Sequence, residues 1–198
     1  DAIRVRPTHS NIMYPGLGVG GYCLTKDPAF APAAAKHIFG LDIDFPMSKL
    51  AMKRNALMPH YVTQRVTKAF DGEISGKKIL LCGVSYRKNV GDTRFSPSLI
   101  ILQNLQEMGV EVDCIDPHVD FWEEANISPG NQFPEKCWYD MVIIAVPHDA
   151  FDALGALQYV IKSRPNFVLD AFSFFEYDDR LKIKEDGIKF LSIGGGDK

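Results

Sequence analysis

From Gly76 onward the chain alternates apolar runs of strand length with a longer amphipathic run, and this alternation restricts the fold more than any other feature. KKILLCGVSY (77–86), VEVDCID (110–116), MVIIAVP (141–147) and NFVLDAF (166–172) are apolar with little interruption, as strands buried on both faces are. Between the first two, SPSLIILQNLQEMG (96–109) reads as a helix with Ser96 at its N-cap and Pro97 at its first position. Strand, helix, strand in that order predicts a parallel sheet with right-handed crossovers. The fold class is therefore α/β: a helical segment followed by a doubly wound parallel sheet. Ligands of such sheets bind beyond the carboxyl ends of the strands, near a switch in strand order. That rim collects Tyr86 to Arg94, Asp116-Pro117-His118, Pro147-His148 and Asp170. The loop after the first strand, GVSYRKNVGDTRFSP (83–97), has no closely spaced glycines after Gly83, so it lacks the dinucleotide fingerprint.

Ahead of the sheet, NIMYPGLGVGGYCLTKDPAF (11–30) sets Gly16, Gly18, Gly20 and Gly21 before Cys23, with Lys26 and Asp27 behind it. Glycine at this density frees the backbone for positive φ and lets amides approach a ligand, which suits an anion cradle. A glycine-rich turn with a buried cysteine is the plain alternative. Asp27 as N-cap, Pro28 at the first position, an alanine-rich body and Gly40 as terminator predict a helix over 27–39. An approach strand and loop over 1–22 lead into it. The thiol then stands just before a helix N-terminus with Lys26 three residues on, a setting that lowers a thiol's pKa. A second helix follows Asp44-Phe45-Pro46 and ends near Asp71-Gly72, its apolar residues Met47, Leu50, Ala51, Leu57, Met58, Tyr61, Val62, Val66 and Phe70 recurring every three or four positions. Pro59 is expected to kink it. Lys53, Arg54 and Asn55 read as its solvated face.

The length of 198 residues, with 46% hydrophobic and 24% charged, is enough for a full core. A net charge of −3 with dispersed Lys and Arg argues against nucleic acid as a partner. No apolar run is long enough to span a membrane, and DAIRVRPTHS has no signal-like apolar stretch, so neither a membrane nor a secreted location is expected and the chain reads as cytoplasmic. Cys23, Cys82, Cys114 and Cys137 form no CxxC pair, so a reducing compartment is expected and a metal site is not. His118 and His148 read as rim histidines that order a loop, and Asp116 as a turn opener. Trp122, Trp138 and the FSFF run (172–175) read as packing residues, and GGGDK (194–198) as a frayed end.

The string GVGGYCLTKDP closely resembles the nucleophile loop of the UDP-glucose/GDP-mannose dehydrogenase family: the cysteine, the lysine three on and the aspartate four on all match. KRNALMPHYV resembles the family's central helical region, and GVSYRKNVGDTRFSP the loop of its second nucleotide domain. In that loop Tyr86 matches the aromatic, Arg87 the lysine, Asp92 the second aspartate and Arg94 the arginine. The matches cover nearly the whole chain in the family's order. The resemblance implies two parts: residues 1–72 as nucleophile loop and central helical dimerisation segment, and 73–198 as a C-terminal, Rossmann-like UDP-sugar-binding domain. It implies Cys23 as nucleophile on a sugar aldehyde, Asp27 as the group assisting water, and Lys26 beside them. It implies substrate contacts from Tyr14, Gly16, Gly18, Gly20, Gly21, Tyr86, Arg87 and Arg94.

The implied activity is NAD-dependent oxidation of the C6 alcohol of a UDP-sugar to the carboxylate, through a thiohemiacetal and a thioester on cysteine. UDP-glucose and a UDP-N-acetylhexosamine both fit the mixed motif, the latter slightly better, and a UDP-sugar fits better than GDP-mannose. The resemblance also implies a homodimer through the central helix. NAD is expected mainly on an N-terminal domain outside these residues, leaving this chain alone inactive. Two other classes compete: a non-catalytic nucleotide-binding module with an incidental cysteine, and a thiol hydrolase using Cys23 with a histidine base.

Overall fold

The computed structural model describes residues 5–9, 16–135 and 138–194. Tyr14, Cys137 and the last four residues of the expected frayed end lie outside them. Seven helices and five strands are described: α1 (Tyr22–Lys26), α2 (Phe30–His37), α3 (Pro46–Ala69), β1 (Lys78–Cys82), α4 (Pro97–Glu107), β2 (Glu111–Ile115), β3 (Met141–Ile144), α5 (Asp149–Ala153), α6 (Ala156–Ser163), β4 (Phe167–Asp170), α7 (Tyr177–Glu185) and β5 (Lys189–Ser192). The strands form one sheet in the order β2-β1-β3-β4-β5 with every pairing parallel.

Pleating sorts the strand residues onto two covered faces. Ile79, Leu81, Met141, Ile143, Phe167 and Leu169 share one core cluster with Val62 and Val66 of α3 and Ile101, Leu102 and Leu105 of α4. Leu80, Cys82, Val142, Ile144 and Val168 share the other with Phe151 of α5, Val160 of α6 and Ile183 of α7. Helices on both faces explain why β1, β3 and β4 are apolar at nearly every position instead of at alternate ones. The strand order reverses direction between β1 and β3, so the crevice above their carboxyl ends is the switch point of the sheet.

The expected α/β class is the one observed, with differences in detail. The approach strand is not seen among the described residues of that stretch, where Pro7–His9 is a 3₁₀ turn. The single helix expected over 27–39 is instead a 3₁₀ turn over Asp27–Ala29 followed by α2, with α1 preceding them. Pro28 has no N–H to donate back to Leu24, and at this proline the chain leaves α-helical geometry for a 3₁₀ turn. The N-cap of α1 is Gly21, at φ 78 and ψ 177, a conformation open to glycine and little else. α3 has the expected bounds and continues through Pro59, and α4 has the expected N-cap, with Ser96 accepting from Ser98 N–H. The apolar stripe of α3 is packed over its second half and exposed at Met47, Leu50, Leu57 and Tyr61. Of the residues read as packing, Trp122 is fully buried, whereas Trp138 is 91% exposed.

Candidate functional site

The glycine stretch is pinned at successive residues. Leu17 sits in the core cluster that also holds Val62 of α3 and Leu81 of β1. Val19 pairs through both backbone groups with one side chain of α3: its N–H donates to Asn55 Oδ1 at 2.7 Å and its carbonyl accepts from Asn55 Nδ2 at 2.8 Å. The Gly21 N–H donates to the Arg94 carbonyl at 3.1 Å. Glycine is needed at Gly20 because a Cβ there would stand 2.6 Å from the Phe95 carbonyl oxygen and 2.7 Å from Tyr86 Cβ. A Cβ at Gly16 would stand 2.1 Å from Phe172 Cε1. These glycines make room for protein neighbours, and Gly20 and Gly21 form a close-packed joint between two loops. Tyr86 forms that joint from the other side, its ring lying against Gly21.

Cys23 follows in the first turn of α1, one residue past the N-cap's neighbour, and is exposed. It does not stand in front of a longer helix, as the sequence pattern suggested. Asp27 lies one turn on, its N–H donating to the Cys23 carbonyl. The Asp27 side chain does not cap a helix; its Oδ1 takes Lys26 Nζ at 2.9 Å. That bond, more than any other influence, holds the Lys26 ammonium above its ordinary pKa. Lys26 also lies over the Phe30 ring at 4.7 Å. By contrast Cys82 and Cys114 are buried, and burial pushes both thiols up, Cys114 to about 12. Of the three described cysteines, Cys23 alone is open to a ligand.

The loop from Gly83 to Pro97 starts at the switch point and is held from beneath by buried polar groups. Asp116, at the end of β2, accepts the Val84 and Ser85 amides on Oδ2 at 2.8 and 3.1 Å and the His118 amide on Oδ1 at 2.9 Å. The last bond is the turn expected of Asp-Pro; the first two make Asp116 an anchor for the neighbouring strand's loop, which sequence reasoning missed. His148, fully buried, completes the anchor. Its Nδ1 accepts the Asn89 N–H at 2.9 Å, so the ring's proton belongs on Nε2, which lies 3.1 Å from Asp116 Oδ2 and 3.2 Å from Ser85 Oγ. Burial, the largest influence on Asp116, drives its carboxyl up; the bonds from His148 and the amides outweigh it and hold it below its ordinary value. His148 thus orders a loop as expected, from the interior and not from the rim. His118 is the exposed one, its ring 4.8 Å from that of His148.

On top of this base the loop presents its cations. Arg87 is exposed, and Arg94 forks onto Asp92, Nε to Oδ1 at 2.9 Å and Nη2 to Oδ2 at 2.6 Å. That fork holds Asp92 below the usual carboxylate range. The Arg94 guanidinium also lies 5.4 Å over the Tyr22 ring, next to Cys23 in sequence. Phe95 has a left-handed backbone, φ 54, and packs edge-on against Tyr22 with centroids 5.2 Å apart. The structure therefore brings Gly20, Gly21, Cys23, Lys26, Asp27, Tyr86 and Arg94 into one neighbourhood spanning two loops. Arg87 belongs to the same loop as Arg94, seven residues nearer to β1. Sequence reasoning missed Phe95 and Asn55; a position that takes a positive φ without being glycine or asparagine leaves no local signal.

A helical arm packed on a doubly wound parallel sheet defines an α/β class, and comparison with known proteins narrows it. Residues 80–177 match the family model described as UDP-glucose/GDP-mannose dehydrogenase family, UDP binding domain. The chain is 34% identical over 205 residues to a UDP-N-acetyl-D-mannosamine dehydrogenase of Methanococcus maripaludis, covering 99% of this chain and 44% of that protein. It is 34% identical over 149 residues to a UDP-N-acetyl-D-glucosamine 6-dehydrogenase of Pseudomonas aeruginosa, covering 72% and 34%. Its fold superposes on a UDP-D-ManNAc dehydrogenase of Pyrococcus horikoshii with a TM-score of 0.76 and 26% identity, covering 100% of this chain and 44% of that one. The chain belongs to the UDP-glucose/GDP-mannose dehydrogenase family and spans less than half the length of these relatives.

Proposed function

We propose that this chain carries the covalent-catalysis and nucleotide-binding parts of an NAD-dependent UDP-sugar 6-dehydrogenase, with a UDP-N-acetylhexosamine as substrate. The observation that carries the reading is the joint between the two loops. The Gly21 amide on the Arg94 carbonyl, at 3.1 Å, joins the segment carrying the exposed thiol to the loop carrying the exposed Arg87 and Arg94, which supports one extended ligand serving both. Arg87 and Arg94 suit a diphosphate by their planar forks, and Tyr86 offers an aromatic edge beside them. The names of the relatives favour an N-acetylhexosamine over glucose.

The cysteine's chemistry follows from its exposure. Oxidation of the C6 alcohol yields an aldehyde; Cys23 Sγ adds to its carbon, forming a C–S bond while the carbonyl oxygen takes a proton. The resulting thiohemiacetal can be oxidised once more, which the bare aldehyde cannot without first adding a nucleophile, and the product is a thioester. Asp27, with Oδ1 held by Lys26, takes a proton from the attacking water on its other oxygen; the C–S bond then breaks and the thiolate is returned. NAD supplies the hydride acceptor for both oxidations. The loop after β1 does not fit a dinucleotide: it has no glycine fingerprint, and α4 begins only at Pro97, far beyond the strand's end at Cys82. No described residue is assigned to NAD.

We place the division of labour at the end of α3, with residues 1–72 serving the thiol and 73–198 the nucleotide, and a homodimer on the exposed apolar half of α3. Calorimetric titration with UDP, GDP and NAD in parallel tests the reading. Binding of UDP alone is expected. NAD binding without UDP would overturn it and make the sheet the cofactor domain. In the full-length protein, Cys23→Ser is expected to abolish release of the sugar acid; undiminished turnover would reduce the cysteine to an incidental residue.

A further inference from the structure

We propose that Asn55 is a positioning residue for Cys23: it fixes the start of α1 from the long helix α3, independently of the nucleotide loop. The inference rests on the reading of Cys23 as nucleophile. Its structural basis is the two-point bond between one carboxamide and one peptide, 2.7 Å from Val19 N to Oδ1 and 2.8 Å from Nδ2 to the Val19 carbonyl. A carboxamide is the one side-chain type at this reach that offers a donor and an acceptor side by side, as a neighbouring strand would. Aspartate has no donor, lysine and arginine have no acceptor, and glutamine is one methylene too long for the same closure.

Two further features of α3 face the same loop. Pro59 lacks the N–H that would bond the Asn55 carbonyl, four residues earlier in the helix. Gly18, at φ 118, approaches that carbonyl so closely that a Cβ on it would be 3.3 Å from the oxygen and 3.3 Å from Met58 Cβ. The Asn55 side chain and the carbonyl left free of the Pro59 N–H thus both lie where residues 18–19 approach the helix. α1 needs such an anchor. It has five residues and no side-chain cap at Gly21, and a helix that short has little stability of its own. Downstream of Val19, Gly20 and Gly21 are fixed by packing on Tyr86 and Phe95, so the clamp and the joint hold the chain from both sides just before Cys23.

The test compares Asn55→Ala and Asn55→Asp with wild type by hydrogen exchange over residues 17–27, by iodoacetamide labelling of the Cys23 peptide at one fixed pH, and by UDP titration. Exchange at Val19 and across α1 is expected to rise about tenfold or more in Asn55→Ala. The rate of Cys23 labelling is expected to change about threefold or more, with UDP affinity within about twofold of wild type. Asn55→Asp keeps the acceptor for Val19 N–H and should fall between the two. In the full-length protein the same series should lower kcat and leave KM for the UDP-sugar unchanged. Unaltered α1 exchange and unaltered Cys23 labelling would overturn the proposal even if the protein were active. Activity surviving Cys23→Ser would instead overturn the reading beneath it while the exchange result still tested the clamp.

Discussion

The two loops that meet at the candidate site are held in opposite ways. The cysteine loop is fixed from its flanks, by missing side chains at Gly18 and Gly20 and by the partly exposed carboxamide of Asn55. The nucleotide loop is fixed from beneath, by Asp116, Ser85 and His148, all fully buried. Buried polar groups cost a great deal when one partner is removed, whereas solvated ones find water. The base of the nucleotide loop is therefore tied to the stability of the whole sheet. The Asn55 clamp on the cysteine loop, being partly solvated, can be loosened with less effect on folding. Under the proposed function the contrast is useful: a nucleophile that must meet successive intermediates tolerates adjustable supports, and a diphosphate site benefits from rigid ones.

The largest expected effect follows from the buried side. His148→Leu leaves the Asp116 carboxylate without its side-chain partner and the Asn89 amide without an acceptor. A loss of about 3–5 kcal/mol in unfolding free energy is expected by denaturant titration. UDP binding should fail with it, because Ser85 and Asn89 bracket Tyr86 and Arg87. A His148→Leu protein as stable as wild type would erase the contrast between the loops. Gly20→Ala should be the next most severe. The added Cβ meets a backbone oxygen at 2.6 Å, which cannot swing away as a side chain can, so the joint must open or strain. The expected cost is about 1–3 kcal/mol, accompanied by faster labelling of Cys23.

How much of this was legible in the sequence depended on whether a residue's role was local. β1 to β4, the bounds of α3 and the Ser96 cap were legible because continuous apolar runs and cap chemistry act within a few residues. β5 was not: KFLS is an edge strand with two apolar residues, too short to declare a period. α7, YDDRLKIKE, buries Ile183 and little else, so it carries no apolar stripe to read. The cysteine motif was legible as a string, yet its helix was misplaced, because Asp27-Pro28 has the composition of a helix start and Gly21 supplied the real one. Asn55 looked like one of three solvated polar residues, and its partner lies 36 positions away. Asp116 and His148 were read singly, since only the fold brings the residues after β2 and β3, which flank β1, together above its carboxyl end.

Acid sharpens the comparison by a smaller amount, through two buried aspartates on the rim, one after β2 and one at the end of β4. Asp116 is held low, so its contribution to stability is present above about pH 3.9 and is lost as pH falls through its folded value. Asp170 is pushed up, first by burial, while the amides of Phe174, Phe175 and Phe172 pull it back. Its contribution has the opposite sign: it is present below about pH 3.9 and lost as pH rises through the raised folded value. Replacing each by Asn should therefore tilt the acid limb of the stability curve in opposite directions. Asp116→Asn flattens it relative to wild type and Asp170→Asn steepens it, each by about 1.4 kcal/mol for every tenfold by which folding alters that carboxylate's proton affinity. Parallel denaturant midpoints across the acid range would check the pair, and equal tilts would mean that His148 does not set the difference between the two sites.

The smallest effect is expected at Lys26, and its smallness is informative. The ammonium pairs with Asp27 Oδ1 at 2.9 Å, with side chains 46% and 41% exposed, and a pair so solvated adds little to folding. Lys26→Met should leave the melting temperature where it is. What it removes is the hold on one Asp27 oxygen, one helical turn from Cys23. If Asp27 takes the proton from water during thioester hydrolysis, that step should slow by at most about fivefold, and added salt should slow wild type in the same sense by screening the pair. Single-turnover measurement in the full-length protein separates this step from the oxidations before it. A variant that hydrolyses normally but captures aldehyde slowly would move the lysine's role from Asp27 to the thiol, making Cys23, and not its acid partner, the group that the exposed loop is built to serve.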